Sequence, residues 1–117
     1  EVWGDGSSVR DFIHARDVAR GMIFTMEKKI RRPVNLGCGR GISIETIANI
    51  ISKRFGTKIA YDTTKPNGDK VRLLNMKTMF ENGFNLTVDI EDGINETIDW
   101  YIKNKQNLNF RFNSFVE

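Results

Sequence analysis

Two arginines and a tryptophan are the residues of this sequence whose chemistry best suits an anionic ligand. Arg10 follows the glycine-rich stretch 2–8, and Arg72 follows the turn 64–69. A guanidinium group can chelate two phosphate oxygens at once, and the indole of Trp3 can stack on a flat base or cover a sugar face. The three residues predict a site for the phosphates and sugar of an anionic molecule. The alternative, equally open from the letters, is a pair of solvated arginines and a core tryptophan.

The stretch 2–17, VWGDGSSVRDFIHARD, holds most of these special residue types. His14 is the single histidine, and no Cys, Asp or Glu cluster around it has metal-ligand spacing, so a structural role is favoured for it and no metal site is predicted. Asp17 is predicted to be the N-cap of the following helix rather than a catalytic acid. The stretch is therefore predicted to be a ligand-binding loop that is supported by a helix.

The glycine loop VNLGCGRG, residues 34–41, admits two cofactor-binding interpretations. Its spacing is G-x-G-x-G, whereas the dinucleotide-binding fingerprint needs G-x-G-x-x-G. The loop is more similar to the S-adenosylmethionine loop of methyltransferases. Asp62 is placed about right to bind the ribose there, but Asn35 stands where that family usually has a carboxylate. A methyltransferase-like fragment stays open as an alternative from another class, as does a binding module without chemistry.

Two Tyr-x-x-x-Lys pairs occur, Tyr61 with Lys65 and Tyr101 with Lys105. In short-chain dehydrogenases such a pair is catalytic, because the lysine activates the tyrosine for proton transfer. Here Tyr61 is expected in a strand that runs into a turn, and Tyr101 in the core face of the last helix. Both pairs are therefore interpreted as chance, and no catalytic residue is predicted.

Composition places the chain among globular, single-domain proteins. It has 117 residues, of which 39% are hydrophobic and 28% charged. Cys38 is the only cysteine, which excludes an internal disulfide and fits a cytoplasmic location. The net charge of +3 indicates an ordinary basic surface, without the arginine-rich and aromatic stripe of a nucleic-acid site and without an apolar run that could span a membrane. The opening at Glu1 suggests a fragment of something longer.

The periodicity predicts an α/β fold with a small parallel or mixed sheet and three main helices. The helices are expected at 18–29, between Ser43 and Gly56, and at 90–104 after the cap Asp89, with a short helix near 77–82. Residues 33–37 and 58–63 are expected to form parallel neighbouring strands. The Met22 and Met26 stripe is interpreted as core.

Four segments, in this order, resemble the C-terminal portion of extended short-chain dehydrogenase/reductases of the NAD-dependent epimerase/dehydratase family. They are residues 2–22, 33–51, 61–76 and 84–104. The combination W-G-x-G-x-x-x-R-D-F-x-H-x-x-D with T-x-K-P-x-G is specific for the members that act on nucleotide sugars. The resemblance implies a Rossmann-type enzyme of which residues 1–104 form the substrate-binding C-terminal domain. A polar tail, 105–117, follows and contains Phe110, Phe112 and Phe115.

The resemblance also implies the substrate-binding residues, which are Trp3, Arg10, Asn67 and Arg72. Arg72 stands where the family often has Lys, which keeps a positive charge on the diphosphate. Asn67 replaces an Asp of the K-P-D-G turn, Lys70 replaces a Pro, and Asn75 replaces an Asp. These departures leave the identity of the sugar nucleotide open.

The activity implied by the resemblance is that of an NADP-dependent epimerase/reductase acting on a GDP-sugar, with UDP-sugar 4-epimerases and GDP-mannose dehydratases as alternatives. The family's dinucleotide-binding glycine motif and its catalytic residues are expected upstream of Glu1. The chain alone is therefore expected to bind NADP poorly, to be inactive, and to need an N-terminal Rossmann domain. A homo-oligomer is also expected, because segment 33–63 would expose an apolar sheet edge or self-associate.

Overall fold

The structure, a computed structural model, describes residues 1–108. Four helices carry most of the regular structure: α1 Ala15–Glu27, α2 Ile44–Phe55, α3 Lys77–Glu81 and α4 Ile90–Asn104. A 3-10 helix, Lys105–Leu108, follows α4. The predicted tail phenylalanines lie outside the described residues, and the boundary at residue 104 stays a prediction.

Five two-residue strands form two small sheets. They are β1 Val2–Trp3, β2 Val9–Arg10, β3 Ile42–Ser43, β4 Tyr61–Asp62 and β5 Val71–Arg72. In one sheet β1 pairs with β4 in parallel; in the other, β2 is central, antiparallel to β3 and parallel to β5. The α/β class with a small mixed sheet is confirmed.

Helices α2 and α4 begin where local sequence signals predict. The side chain of Ser43 accepts a hydrogen bond from the amide of Thr46, and Gly56 ends α2 in the left-handed conformation. The side chain of Asp89 accepts a hydrogen bond from the amide of Glu91 at the start of α4. These caps need only neighbouring residues, so sequence alone locates them.

The predicted parallel pairing of 33–37 with 58–63 is wrong. Residues 33–36 make no backbone hydrogen bond to another segment within the described part of the chain, and β4 pairs instead with β1, which was predicted to be loop. The rule that two consecutive strands pair in parallel across an intervening helix applies only when both strands lie in the same sheet. Here Val34 and Leu36 pack on the core cluster without any neighbouring strand to pair with.

The assignment of the α1 methionines to the core is also wrong. Met22 and Met26 are 58% and 77% exposed, and Ile23 between them is exposed too. The opposite face of α1 turns inward because Gly21 permits a close approach: a Cβ there would lie 2.5 Å from Leu36. Helix periodicity identifies an apolar stripe but does not say which neighbour covers it.

The core is small and lies between α1, α3 and the segment after α3. Met76, Met79 and Phe84 are its buried members. Phe24 of α1 packs against Phe84 with ring centroids 5.4 Å apart. Tyr101, expected in the core, is exposed. None of the helices over residues 1–108 combines the length and apolar character needed to cross a membrane.

Candidate functional site

Arg10 and Arg72 are side-by-side neighbours in the central sheet. Strands β2 and β5 run parallel with Arg10 in register with Arg72. Partners in register project from the same face of a sheet, within about 5.5 Å of each other at Cβ. Two positive residues are thus brought together from distant parts of the sequence, and their role in binding substrate stays a prediction.

The turn after Pro66 touches both arginines. Arg10 Nη1 donates to the carbonyl oxygens of Val9 (2.8 Å) and Asp69 (2.7 Å). Arg72 Nη2 donates to the carboxylate of Asp69 at 2.7 Å. Gly68, at φ +69°, carries no Cβ beside the Arg10 guanidinium. The turn therefore sets the positions of both cations.

Asn67 ties this turn to the N-terminal loop. Its side-chain oxygen accepts the amide N–H of Asp5 at 2.8 Å, and its carbonyl oxygen accepts the Ser8 hydroxyl. Gly4 must be glycine for this contact, since a Cβ there would lie 1.9 Å from Asn67 Oδ1. The Asn67 amide oxygen is thus already used to position the loop, an intramolecular role that sequence reasoning did not anticipate.

Trp3 lies on β1, which belongs to the other small sheet. Its side chain is 66% exposed, which rules out the core alternative. The ammonium of Lys65 lies 5.5 Å from the ring centroid, and the indole N–H donates to Glu1. The next residue, Gly4, is the one that abuts Asn67. Trp3 therefore presents an exposed aromatic surface that is linked to the arginine turn through Gly4 and Asn67.

Asp11 is a residue that sequence reasoning missed. Its carboxylate accepts the amide N–H groups of Cys38 (2.6 Å), Gly39 (3.1 Å) and Leu74 (3.3 Å). The amides that would hold a cofactor in the glycine loop are thus occupied by an internal anion. The sequence signals for this contact are a carboxylate next to Arg10 and, in a separate segment, a loop with several glycines.

Cys38 itself is buried beside this carboxylate. Burial raises the pKa of the Cys38 thiol, and the Asp11 carboxylate raises it further, against a lowering by hydrogen bonding with the Arg40 backbone. A thiol kept protonated is a poor nucleophile. Within the described residues, no group of His, Cys, Asp and Glu side chains is arranged to hold a metal ion.

Asp17 joins α1 to the segment before α4, and its prediction as an N-cap is wrong. His14 occupies the N-cap position, and its side chain accepts the amide of Arg16. Asp17 is 1% exposed and accepts hydrogen bonds from the amides of Thr87 and Val88 and from Arg20. Burial would raise the pKa of Asp17, but these hydrogen bonds outweigh it and lower the pKa to about 2.

An apolar cavity of about 320 Å³ lies away from the arginine pair, between the start of α1 and helix α4. His14, Ile94 and Ile98 are among the residues that line it. The charged groups at its lining are already paired, Asp17 with Arg20 and Arg40 with Asp89. We therefore place the candidate anion site at Arg10 and Arg72 rather than in this cavity.

Comparison with known proteins defines the class. The sequence model of the NAD dependent epimerase/dehydratase family matches residues 1–37. A UDP-N-acetylglucosamine 4-epimerase from Methanobrevibacter ruminantium has the same fold over 88% of this chain, with a TM-score of 0.76 and 26% identity, and the match spans 34% of that enzyme. The resemblance found in the sequence is confirmed: the chain is related to the Rossmann-type epimerases and reductases of this family.

GDP-L-fucose synthases are among the particular relatives. GDP-L-fucose synthase 1 of Arabidopsis thaliana is 33% identical over 106 residues, which are 88% of this chain and 33% of the plant enzyme. The GDP-L-fucose synthetase of Naegleria fowleri, solved bound to NADP, superimposes with a TM-score of 0.79 over 90% of this chain and 35% of its own, at 26% identity. The chain thus spans about a third of the length of these relatives.

Proposed function

We propose that this chain is the substrate-binding part of an NADP-dependent epimerase/reductase and that its ligand is a GDP-sugar. The observation that carries the proposal is the pair of in-register arginines, Arg10 and Arg72, and the exposed Trp3 supports it. Arg72 is paired with the exposed Asp69 carboxylate, but two adjacent guanidinium groups exceed that single negative charge, and a diphosphate supplies the further negative charge. The names of the relatives above support GDP as the nucleotide.

The residues of the site take different parts in this proposal. Arg10 and Arg72 bind the diphosphate oxygens, and Trp3 stacks on the base or covers the sugar. Asn67, whose amide oxygen is held by Asp5, positions the N-terminal loop around the ligand. The diphosphate is then held from two strands, which orients the sugar relative to the rest of the enzyme.

NADP would supply the hydride for reduction of the sugar, but the described residues do not fit it. A pyrophosphate needs free backbone amides, and two of those in the glycine loop already donate to Asp11. The same occupancy disfavours the S-adenosylmethionine alternative. We therefore propose that NADP binds to the remaining two thirds of a longer protein and that this chain alone is inactive.

Two surfaces support docking to such a nucleotide-binding domain. The extended segment 33–36 leaves its backbone groups unpaired within the described residues, and the adjacent helix α1 exposes Met22, Ile23 and Met26. An unpaired edge beside an uncovered apolar helix face is what a parallel sheet with a covering helix presents when its other strands are absent. The partner proposed for this surface is a parallel sheet.

Calorimetric titration of the chain with GDP-mannose, UDP-glucose and S-adenosylmethionine tests the ligand. We expect GDP-mannose to bind, and both Arg10→Ala and Arg72→Ala to weaken it about tenfold or more, because each charge-assisted contact to phosphate contributes roughly 1.5–3 kcal/mol. Arg32→Ala is the matched control, since Arg32 is an exposed arginine outside the site. Circular dichroism checks that each variant is folded.

The outcomes separate the alternatives. Tighter binding of UDP-glucose than of GDP-mannose would favour a UDP-sugar 4-epimerase relative. A response to S-adenosylmethionine that disappears in Gly39→Ala would overturn the proposal in favour of a methyltransferase-like site. Equal weakening by Arg32→Ala would show that binding reflects overall charge rather than this site.

A further inference from the structure

We propose that Asp69 sets the charge selectivity of the arginine pair by lowering the affinity for the more highly charged free nucleoside diphosphate relative to that for a nucleotide sugar. The inference rests on the proposed function, since it concerns the same two arginines. The diphosphate of a GDP-sugar has an ester at both ends and carries two charges. Free GDP carries about one more above its second phosphate pKa of about 6.

Asp69 contacts both arginines, but in different ways. Its backbone carbonyl accepts Arg10 Nη1, and that guanidinium is also bound by the carbonyl of Val9. Its side-chain carboxylate accepts Arg72 Nη2 at 2.7 Å. Arg10 is thus oriented by neutral oxygens and keeps its full charge, whereas Arg72 is paired with an anion. Two cations and one carboxylate leave a net charge of about +1 at the site.

The Asp69–Arg72 pair is open to exchange. The side chain of Arg72 is 74% exposed and that of Asp69 is 60% exposed. Ion pairs between exposed side chains contribute little to stability, so a phosphate can replace the carboxylate at Arg72 at small cost. Once replaced, the Asp69 carboxylate remains beside the ligand, because the backbone of the same residue still accepts Arg10.

The retained carboxylate repels a ligand more strongly the more negative charges that ligand carries. At about 7 Å in water, two unit charges interact with about 0.6 kcal/mol, or close to threefold in affinity, when salt does not screen them. GDP therefore loses about threefold more affinity than a GDP-sugar does. GDP is what remains when a sugar is transferred or lost, and the Asp69 carboxylate would reduce the advantage that its extra charge gives the shorter nucleotide.

Binding of GDP-mannose, GDP and guanosine to the wild-type chain, Asp69→Asn and Asp92→Asn tests the inference at pH 8 and about 10 mM ionic strength, where the screening length is about 30 Å. We expect Asp69→Asn to tighten both diphosphates and to move the GDP-to-GDP-mannose affinity ratio about threefold towards GDP. Guanosine should be unaffected. Asp92→Asn, which removes an exposed charge from α4, should leave the ratio unchanged. Asp69→Glu should retain most of the wild-type selectivity.

High salt provides the readout that a merely structural role would not move. At about 1 M salt the screening length falls to about 3 Å. The GDP-to-GDP-mannose affinity ratios of Asp69→Asn and of the wild type, both measured at that salt concentration, should then be equal. Wild-type binding with a ratio that Asp69→Asn leaves unchanged overturns this inference alone. Absence of GDP-mannose binding in both the wild type and Asp69→Asn overturns the proposed function and the inference with it.

Discussion

Two aspartates, Asp17 and Asp69, hold distant parts of this chain together in different ways. Asp17 is buried between α1 and the segment before α4, and it accepts two backbone amides and a guanidinium. Asp69 lies on an exposed turn and pairs with one guanidinium through its side chain. Backbone amides cannot leave their carboxylate without unfolding a segment, whereas an exposed guanidinium can exchange partners. The first arrangement is suited to stability and the second to ligand exchange.

Replacing the buried aspartate should have the largest effect. Asp17→Ala leaves Arg20 and the amides of Thr87 and Val88 without their acceptor, and we expect it to lower the free energy of unfolding by about 3–5 kcal/mol. Urea denaturation followed by tryptophan fluorescence measures the change. Asp92→Ala, an exposed control, should stay within about 0.5 kcal/mol. If Asp17→Ala does not fold, Asp17→Asn takes its place and should show a loss of about 1–3 kcal/mol. A loss below about 1 kcal/mol in the folded variants would contradict the role given to this carboxylate.

Acid should weaken the Asp17 junction within a defined pH window. The pKa of Asp17 is lowered from 3.8 to about 2 in the folded chain. Its carboxylate therefore contributes stability that is fully present above about pH 4 and is lost as pH falls towards 2. The contribution is about 2 kcal/mol, because one pKa unit corresponds to about 1.4 kcal/mol. Urea midpoints measured between pH 5 and 2 should fall less steeply in Asp17→Asn; parallel curves would contradict the assignment.

The exposed aspartate should contribute least to stability. Asp69→Ala removes an ion pair between two exposed side chains, and we expect the free energy of unfolding to change by less than about 0.5 kcal/mol. The same urea experiment measures it. A loss above about 1.5 kcal/mol would mean that Asp69 is a structural residue like Asp17, and the contrast between the two would then disappear.

The sequence predicts those features that depend on neighbouring residues. Ser43, Gly56 and Asp89 mark helix ends because a cap uses groups within a few residues of itself. The ability of a guanidinium group to bind phosphate, on which the proposal for Arg10 and Arg72 depends, is likewise a property of the residue type. Their placement in register is not, because it depends on a strand pairing between separate turns.

The wrong predictions share a physical cause. Asp17 has the residue type and position of a cap, yet its acceptors serve amides of Thr87 and Val88, which no local pattern reveals. The apolar stripe of α1 was predicted to be buried. This prediction failed because periodicity cannot tell which of two faces of a helix has a neighbour to pack against. Here Gly21 brings the other face against Leu36. Both errors concern contacts between residues far apart in the sequence.

Oxidation of the four methionines can show whether another domain covers helix α1. Met22 and Met26 are exposed on α1, whereas Met76 and Met79 are 3% and 0% exposed in the core. Oxidation to the sulfoxide follows solvent access, so mild peroxide should modify the first pair and spare the second. A polar sulfoxide on α1 would weaken an apolar contact, and a bound domain would shield the same two sulfur atoms. Peptide mass analysis can thus report, residue by residue, whether this surface is covered.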